Sequence, residues 1–182
     1  MSVLVGSGIA TAYSLKAASG QDALVDWPVG SALHEPLARP RMLVFMHPEC
    51  SCSRATLGEL NVLLSNSPDL VDTDIVFSTP LSDVEQSSLW SAATRLSGVR
   101  VSADTGAQAR LFKASTSGEV LLYSSKGLLL FQGGITASRG QRGDNRGRQV
   151  IERLIRQGDS TLHSRPVFGC PLFDGPEASH ER

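Results

Sequence analysis

Two cysteines, Cys50 and Cys52, are separated by a single serine and follow a short apolar run at residues 42–46. The run predicts a buried strand, and the residues from Ser51 or Ser53 onward predict a helix. The N-terminus of a helix carries partial positive charge and unpaired N–H groups, and both stabilise a thiolate. The pair therefore predicts a chemical site that performs either disulfide exchange or metal binding.

The redox interpretation leaves two pairings open. A disulfide between Cys50 and Cys52 would close a small, strained ring, and strained disulfides are more easily reduced. Alternatively, Cys50 attacks and Cys170 resolves, which requires their Cα atoms to lie within about 7 Å. We expect Cys50 to be the nucleophile because it is the outer thiol at the turn. Arg54, about one helical turn later, could lower a thiol pKa or bind an acidic substrate, or it is simply solvated.

The metal interpretation uses the same atoms. Three sulfurs and one imidazole would suit zinc or a copper ion, and the candidate ligands are Cys50, Cys52, Cys170 and His47. His163 is a second candidate histidine, and the sequence does not rank it against His47. The plainer alternatives are that His47 is a turn residue and that His163 is solvated.

The chain has three cysteines, so one internal disulfide would leave one thiol over. This number alone does not choose between the two interpretations, and a third one is open. In it, the protein is a partner-binding domain, and its cysteines only fasten the tail around Cys170 to the fold.

The elements that must position these residues alternate along the chain. Leucines at 57, 60, 63 and 64 predict an amphipathic helix, and residues 74–77 predict a second buried strand. Two apolar runs, 120–123 and 128–131, joined by a short polar turn, predict a hairpin. The order strand, helix, strand, helix, strand, short helix, hairpin, helix predicts an α/β fold with a central mixed sheet flanked by helices.

The 182 residues suffice for one domain with a full core. The net charge of −1 gives no electrostatic case for binding nucleic acid or an anionic membrane surface. We expect a signal or anchor remnant at 1–20, a linker at 21–41 with either a first strand or a docking contact around residues 25–27, the folded domain at 42–158, and a tail at 159–182. Residues 3–18 are mostly apolar but fall short of a membrane-spanning helix. As a signal or anchor remnant they predict an extracytoplasmic protein, periplasmic or tethered to a membrane, and the alternative is a frayed N-terminal helix.

A glycine- and arginine-rich loop spans residues 133–147. Asp144 and Asn145 have the residue types that cap a helix, and a helix start beside arginines could hold an anion. The arginines concerned are Arg139, Arg142, Arg146 and Arg148. The alternative is a surface loop ordered by its own Asp–Arg pairs.

The element order, with two cysteines between the first buried strand and the next helix, resembles the thioredoxin fold over residues 41–157. The strings HPECSCSRATLGEL, TSGEVLLY, LFQGGITASRG, GDNRG and PVFGCPL resemble a group of bacterial thioredoxin-like proteins labelled RedB, over residues 27–173. The resemblance implies a thioredoxin-like fold. It also implies a protein thiol or disulfide as substrate, or a metalloprotein client.

Three features depart from ordinary thioredoxins. Only Ser51 separates the first two cysteines, where thioredoxins place two residues. Thioredoxins carry a cis-proline before the hairpin, and here residues 116–118 (Thr-Ser-Gly) stand in its place, which leaves room for a metal. Cys170 adds a third thiol far along the chain. Copper chaperones of the Sco type, on the same fold, use two cysteines and a distant histidine.

Overall fold

The structure is a computed structural model of the chain, and it describes residues 22–35, 38–78, 83–158 and 161–173. The strands are β1 (Arg41–Met46), β2 (Asp72–Ser78), β3 (Val99–Asp104), β4 (Glu119–Tyr123), β5 (Leu129–Gly134) and β6 (His163–Ser164). The helices are α1 (Ser53–Asn66), α2 (Ser88–Ala93), α3 (Ala107–Leu111) and α4 (Arg146–Gln157), with a 3-10 turn at Val84–Gln86.

The six strands form one sheet in the order β3-β2-β1-β4-β5-β6. Strands β1, β2 and β3 are parallel, whereas β4 is antiparallel to both β1 and β5. The short β6 joins β5 in parallel. The predicted mixed sheet and hairpin are therefore confirmed, and β1 lies centrally, so its carboxyl end carries the thiol-bearing turn into the middle of the molecule.

Every residue of β1 is buried, because both faces of the sheet are covered. Alternate residues of a strand point to opposite faces, so Val44 joins one apolar cluster and Phe45 the other. Leu60 of α1 and Ile151 of α4 pack in the first cluster, and Phe112 packs in the second. This two-layer packing fixes the position of α1 relative to β1.

Part of the predicted linker is bound to the domain. The Trp27 ring contacts Phe112 and Tyr123 edge-on, with ring centroids 5.0 and 5.1 Å apart, respectively. The backbone N–H of Trp27 donates to the Gly127 carbonyl at 2.8 Å. Residues 1–20, the predicted remnant of a signal or anchor, lie outside the described residues. Among the described residues, no helix has both the length and the apolar character needed to cross a membrane.

Candidate functional site

The thiol-bearing turn joins β1 to α1. The Cys50 N–H donates to the His47 carbonyl at 3.2 Å, and the Ser53 N–H donates to the Cys50 carbonyl at 3.0 Å. Helix α1 begins at Ser53, which is one of the two predicted helix starts, and Cys52 is its N-cap residue. The Cys52 side chain makes no capping hydrogen bond at this helix start.

The C-terminal tail pairs with the segment that precedes β4. The Ser117 N–H donates to the Cys170 carbonyl at 2.8 Å, and the Leu172 N–H donates to the Ser115 carbonyl at 2.9 Å. Gly169 contacts this segment so closely that an added Cβ would lie 1.8 Å from the Ser117 carbonyl oxygen. The Arg139 guanidinium donates to the Gly169 carbonyl at 2.7 Å. These contacts hold Cys170 at the thiol-bearing turn.

Cys50 and Cys170 form hydrogen bonds with each other, and Cys52 is near enough to act electrostatically on Cys170. All three cysteines are free. Cys50 is only 1% exposed, whereas Cys52 and Cys170 are half-buried. The expectation that Cys50 is the outer thiol is therefore wrong, because the tail and the segment before β4 enclose it.

The two contacting thiols have opposite pKa shifts. Burial raises the pKa of Cys50, but hydrogen bonds from Ser53, from the side chain and backbone of Cys170 and from Ser117 lower it by more, to about 7. Burial and the neighbouring Cys50 raise the pKa of Cys170 to about 11, with a smaller contribution from Cys52 and an opposing one from Arg139. Cys50 is therefore about half ionised at pH 7 and is the thiolate of the pair above that pH, whereas Cys170 stays a thiol that donates to it.

The Ser117 hydroxyl connects the parts of this site. It accepts from the His47 N–H at 2.8 Å and lies 2.6 Å from the Ser53 Oγ. Both serines are about 1% exposed, and both contribute hydrogen bonds to Cys50. Our reading of the sequence did not assign either serine to the site. The signal for Ser117 was its position in the segment 116–118, which the sequence predicts in the place of the thioredoxin proline.

Glu119, the first residue of β4, supports the segment that carries Ser117. Its Oε2 accepts from the Ser115 N–H at 3.0 Å and its Oε1 from the Gln132 amide at 3.0 Å. Burial raises the pKa of Glu119, although hydrogen bonds from Gln132, Ser115 and Thr116 oppose the shift. This buried carboxyl group therefore fixes the backbone on which both Ser117 and the tail depend.

Comparisons with known proteins find similar solved structures but no relative by sequence. No protein-family model matches the chain, and no curated protein is significantly similar in sequence. An uncharacterised conserved protein from Geobacillus kaustophilus has 14% identity and a TM-score of 0.63, over 90% of this chain and 95% of that one. A hypothetical protein from Sinorhizobium meliloti has 15% identity and a TM-score of 0.59, over 87% and 94% of the two chains. An exposed lipoprotein thioredoxin from Streptococcus pneumoniae has 14% identity and a TM-score of 0.47, over 75% and 99%.

The chain has a thioredoxin-like fold. The prediction from the element order is thus confirmed, while the narrower resemblance to RedB-labelled proteins stays a prediction. In this thioredoxin-like fold, the three cysteines lie between the end of β1, the start of α1 and the segment before β4.

Three other predicted site residues lie at different places around the site and the sheet. The His47 Nδ1 accepts from the Glu49 N–H at 3.2 Å, within its own turn. Arg54 is exposed and donates to the Ser88 Oγ at 2.9 Å, so it binds the start of α2, and its role toward the thiols stays a prediction. His163 lies in β6, opposite Phe131 at the edge of the sheet.

The predicted metal ligands are not gathered into one cluster. Within the part of the chain that the structure describes, no three His, Cys, Asp or Glu side chains lie close enough together to hold a metal ion. Metal binding through Cys50, Cys52, Cys170 and His47 therefore stays a prediction.

The glycine- and arginine-rich loop of this thioredoxin-like fold is tied to α1 by a buried carboxylate. Glu59 accepts from the Gly143 N–H at 2.6 Å, the Asn145 amide at 2.9 Å and the Arg148 Nε at 3.0 Å. Arg148 also binds Glu152, so both of its ion pairs are with carboxylates of this chain rather than with a bound anion. A carboxylate of α1 thus orders the loop, where the plainer interpretation expected the loop's own Asp–Arg pairs.

Proposed function

We propose that this protein is a thiol–disulfide redox protein whose working pair is Cys50 and Cys170. The observation that carries the proposal is the direct contact between a buried thiolate, Cys50, and a second thiol, Cys170, on the tail. Two thiols within hydrogen-bonding distance of each other are candidates to close a disulfide. Cys52 is a third thiol at the edge of the pair, in the predicted Cys-Ser-Cys motif.

The stabilised thiolate also indicates the direction of electron flow. Whatever stabilises Cys50 as a thiolate stabilises the reduced form of the pair, and this makes its disulfide a stronger oxidant. We infer that the oxidised pair accepts two electrons from a protein dithiol, which leaves as a disulfide. Such chemistry fits an extracytoplasmic location, because disulfides persist in oxidising compartments. A membrane tether through the N-terminal residues belongs to this proposal.

The proposal is tested by the redox activity of single variants. We expect the oxidised wild-type protein to oxidise a reduced, unfolded protein substrate, and we expect Cys50→Ser and Cys170→Ser to abolish this activity. Cys52→Ser should keep most of it. An insulin-reduction assay measures the reverse direction with the same variants. Wild-type activity no higher than that of Cys50→Ser would sink the proposal.

A second candidate function is the handling of soft metal ions, copper above all. It is favoured by the same contact, because thiolates select copper(I), and Cys50 and Cys170 present two sulfurs side by side with Cys52 nearby. Zinc is the alternative ion, and the client would be a metalloprotein. An anaerobic copper(I) titration of the wild type and of Cys50→Ser decides this, and binding no tighter than that of a single free cysteine removes the idea.

A further inference from the structure

We propose that partner proteins exchange with this site at the Sγ of Cys170, so that the intermolecular disulfide forms on the tail cysteine and Cys50 is expelled. This inference rests on the proposed redox function and assigns the two cysteines different tasks. Cys170 forms the disulfide with the partner, and Cys50 is the enclosed cysteine that leaves as a thiolate.

The first support is access. Cys50 is 1% exposed, enclosed by Ser53, Ser117 and the tail, whereas Cys170 is half-buried. Thiol–disulfide exchange requires the attacking sulfur to reach the disulfide directly, so access decides which sulfur is attacked. A protein thiol can approach Cys170 with the tail in place, but it can approach Cys50 only after the tail has left.

The second support is that the tail is held on both sides of Cys170. Its backbone contacts run from Gly169, where Arg139 donates to the carbonyl at 2.7 Å, to Leu172, whose N–H donates to Ser115 at 2.9 Å. The Leu172 side chain is 4% exposed and packs in the second apolar cluster. Release of the tail would break these hydrogen bonds and expose Leu172, so attack at Cys170 avoids a cost that attack at Cys50 must include.

The third support concerns the leaving group. In an exchange reaction, the thiol with the lower pKa leaves faster. Attack at Cys170 expels Cys50 as a thiolate that receives hydrogen bonds from Ser53 and Ser117, and these bonds lower its pKa. Attack at Cys50 would instead expel Cys170, whose pKa is raised by burial. The better-stabilised leaving group is therefore Cys50, in agreement with the access argument.

The reaction then has two balanced steps. A partner thiolate attacks the Cys170 Sγ, a bond forms between the two proteins, the Cys50–Cys170 bond breaks, and Cys50 departs as a thiolate. A second partner thiol loses its proton and attacks the partner's own sulfur in the mixed disulfide. Cys170 is released and takes up a proton. The partner dithiol has lost two electrons, and the cysteine pair has gained them.

The experiment traps the first step with a thiol that cannot perform the second. Cys52→Ser protein is oxidised to the Cys50–Cys170 disulfide and exposed to a peptide with a single cysteine, together with iodoacetamide to alkylate the expelled thiolate. Trypsin cleaves after Arg41 and Arg54, so Cys50 and Cys170 fall in different peptides. Mass spectrometry then shows which cysteine carries the peptide and which carries the alkyl group.

We expect the peptide on Cys170 and the alkyl group on Cys50. The reverse arrangement, or no peptide adduct while dithiothreitol still reduces the disulfide, would overturn the inference and leave the redox function standing. Failure of oxidising buffers to form any Cys50–Cys170 disulfide would instead refute the proposed function itself. The same reaction on Gly169→Ala protein adds a second readout, because displacement of the tail should move part of the adduct to Cys50.

Discussion

Replacement of Ser117 by alanine is expected to raise the pKa of Cys50. The Ser117 hydroxyl is one of the groups whose hydrogen bonds bring that pKa down to about 7 against the effect of burial. A hydrogen bond to a charged group contributes about 1.5–3 kcal/mol, and part of it is recovered because Ser53 and Cys170 remain. A net loss of ~1.4 kcal/mol corresponds to about one pKa unit, so we expect a value of about 8.

The redox potential should change with a characteristic pH dependence. Loss of thiolate stabilisation disfavours the reduced pair, so the potential of the Ser117→Ala variant becomes more negative. Well above pH 8, where Cys50 is ionised in both proteins, one pKa unit is equivalent to about 30 mV for a two-electron couple. At pH 7, where only about half of wild-type Cys50 is ionised, the same shift changes the potential by only about 8 mV.

Both quantities can be measured in a Cys52→Ser background. The ultraviolet absorbance of the thiolate, followed against pH, gives the pKa of Cys50, and equilibration with glutathione buffers gives the potential. Ser51→Ala is the matched control, because Ser51 is an exposed serine in the same turn. A Cys50 pKa that is unchanged in Ser117→Ala, or raised as much in Ser51→Ala, would refute the hydrogen-bond argument.

Three further predictions concern the tail, the pH dependence of stability and the loop. Gly169→Ala should displace the tail, because its Cβ would lie 1.8 Å from the Ser117 carbonyl oxygen. Iodoacetamide should then alkylate Cys50 faster than in the wild type. Gly140→Ala, whose Cβ would have nothing within 4 Å, should not increase this rate. In the reduced protein, the lowered pKa of Cys50 adds stability as the pH rises from about 7 to 9, and the raised pKa of Cys170 removes stability from about 9 to 11. The free energy of unfolding of the wild type minus that of Cys50→Ser, measured in urea, should therefore rise between about pH 7 and 9, and a flat difference would contradict the assignment. Glu59→Gln should lower the free energy of unfolding by about 3 kcal/mol, because it leaves Arg148 partly unpaired. It should not change the pH titration of the Cys50 thiolate. A shifted titration would mean that the loop also affects the Cys50 pKa.

The fold was predictable because its signals are local. The five-residue apolar run before the thiols can be read as a buried strand without knowledge of its neighbours, and β1 is indeed buried throughout. The spacing of leucines in α1 and the polar turn of the hairpin are each patterns among residues close together in the sequence. The thioredoxin-like order of elements follows from these local assignments, and the structure confirms it.

The interior of the site was not predictable in the same way. The exposure of Cys50 depends on Gly169 and Cys170, more than a hundred residues away, and no local pattern reports such a contact. Arg54 has the right spacing from Cys50 for a helical neighbour, but its side chain binds Ser88 instead. The sequence located the cysteines, whereas long-range packing decides which one is enclosed.

The missing proline and the extra cysteine are parts of one feature. Proline has no backbone N–H, so a proline at position 117 could not make the 2.8 Å hydrogen bond by which Ser117 holds the Cys170 carbonyl. It would also lack the hydroxyl that contacts His47 and Ser53. Serine at this position therefore supplies both the donor that holds the tail cysteine beside Cys50 and a hydrogen bond that stabilises the Cys50 thiolate. A thioredoxin-like fold with proline at this position could carry the same tail sequence, but it could not hold the tail through this hydrogen bond.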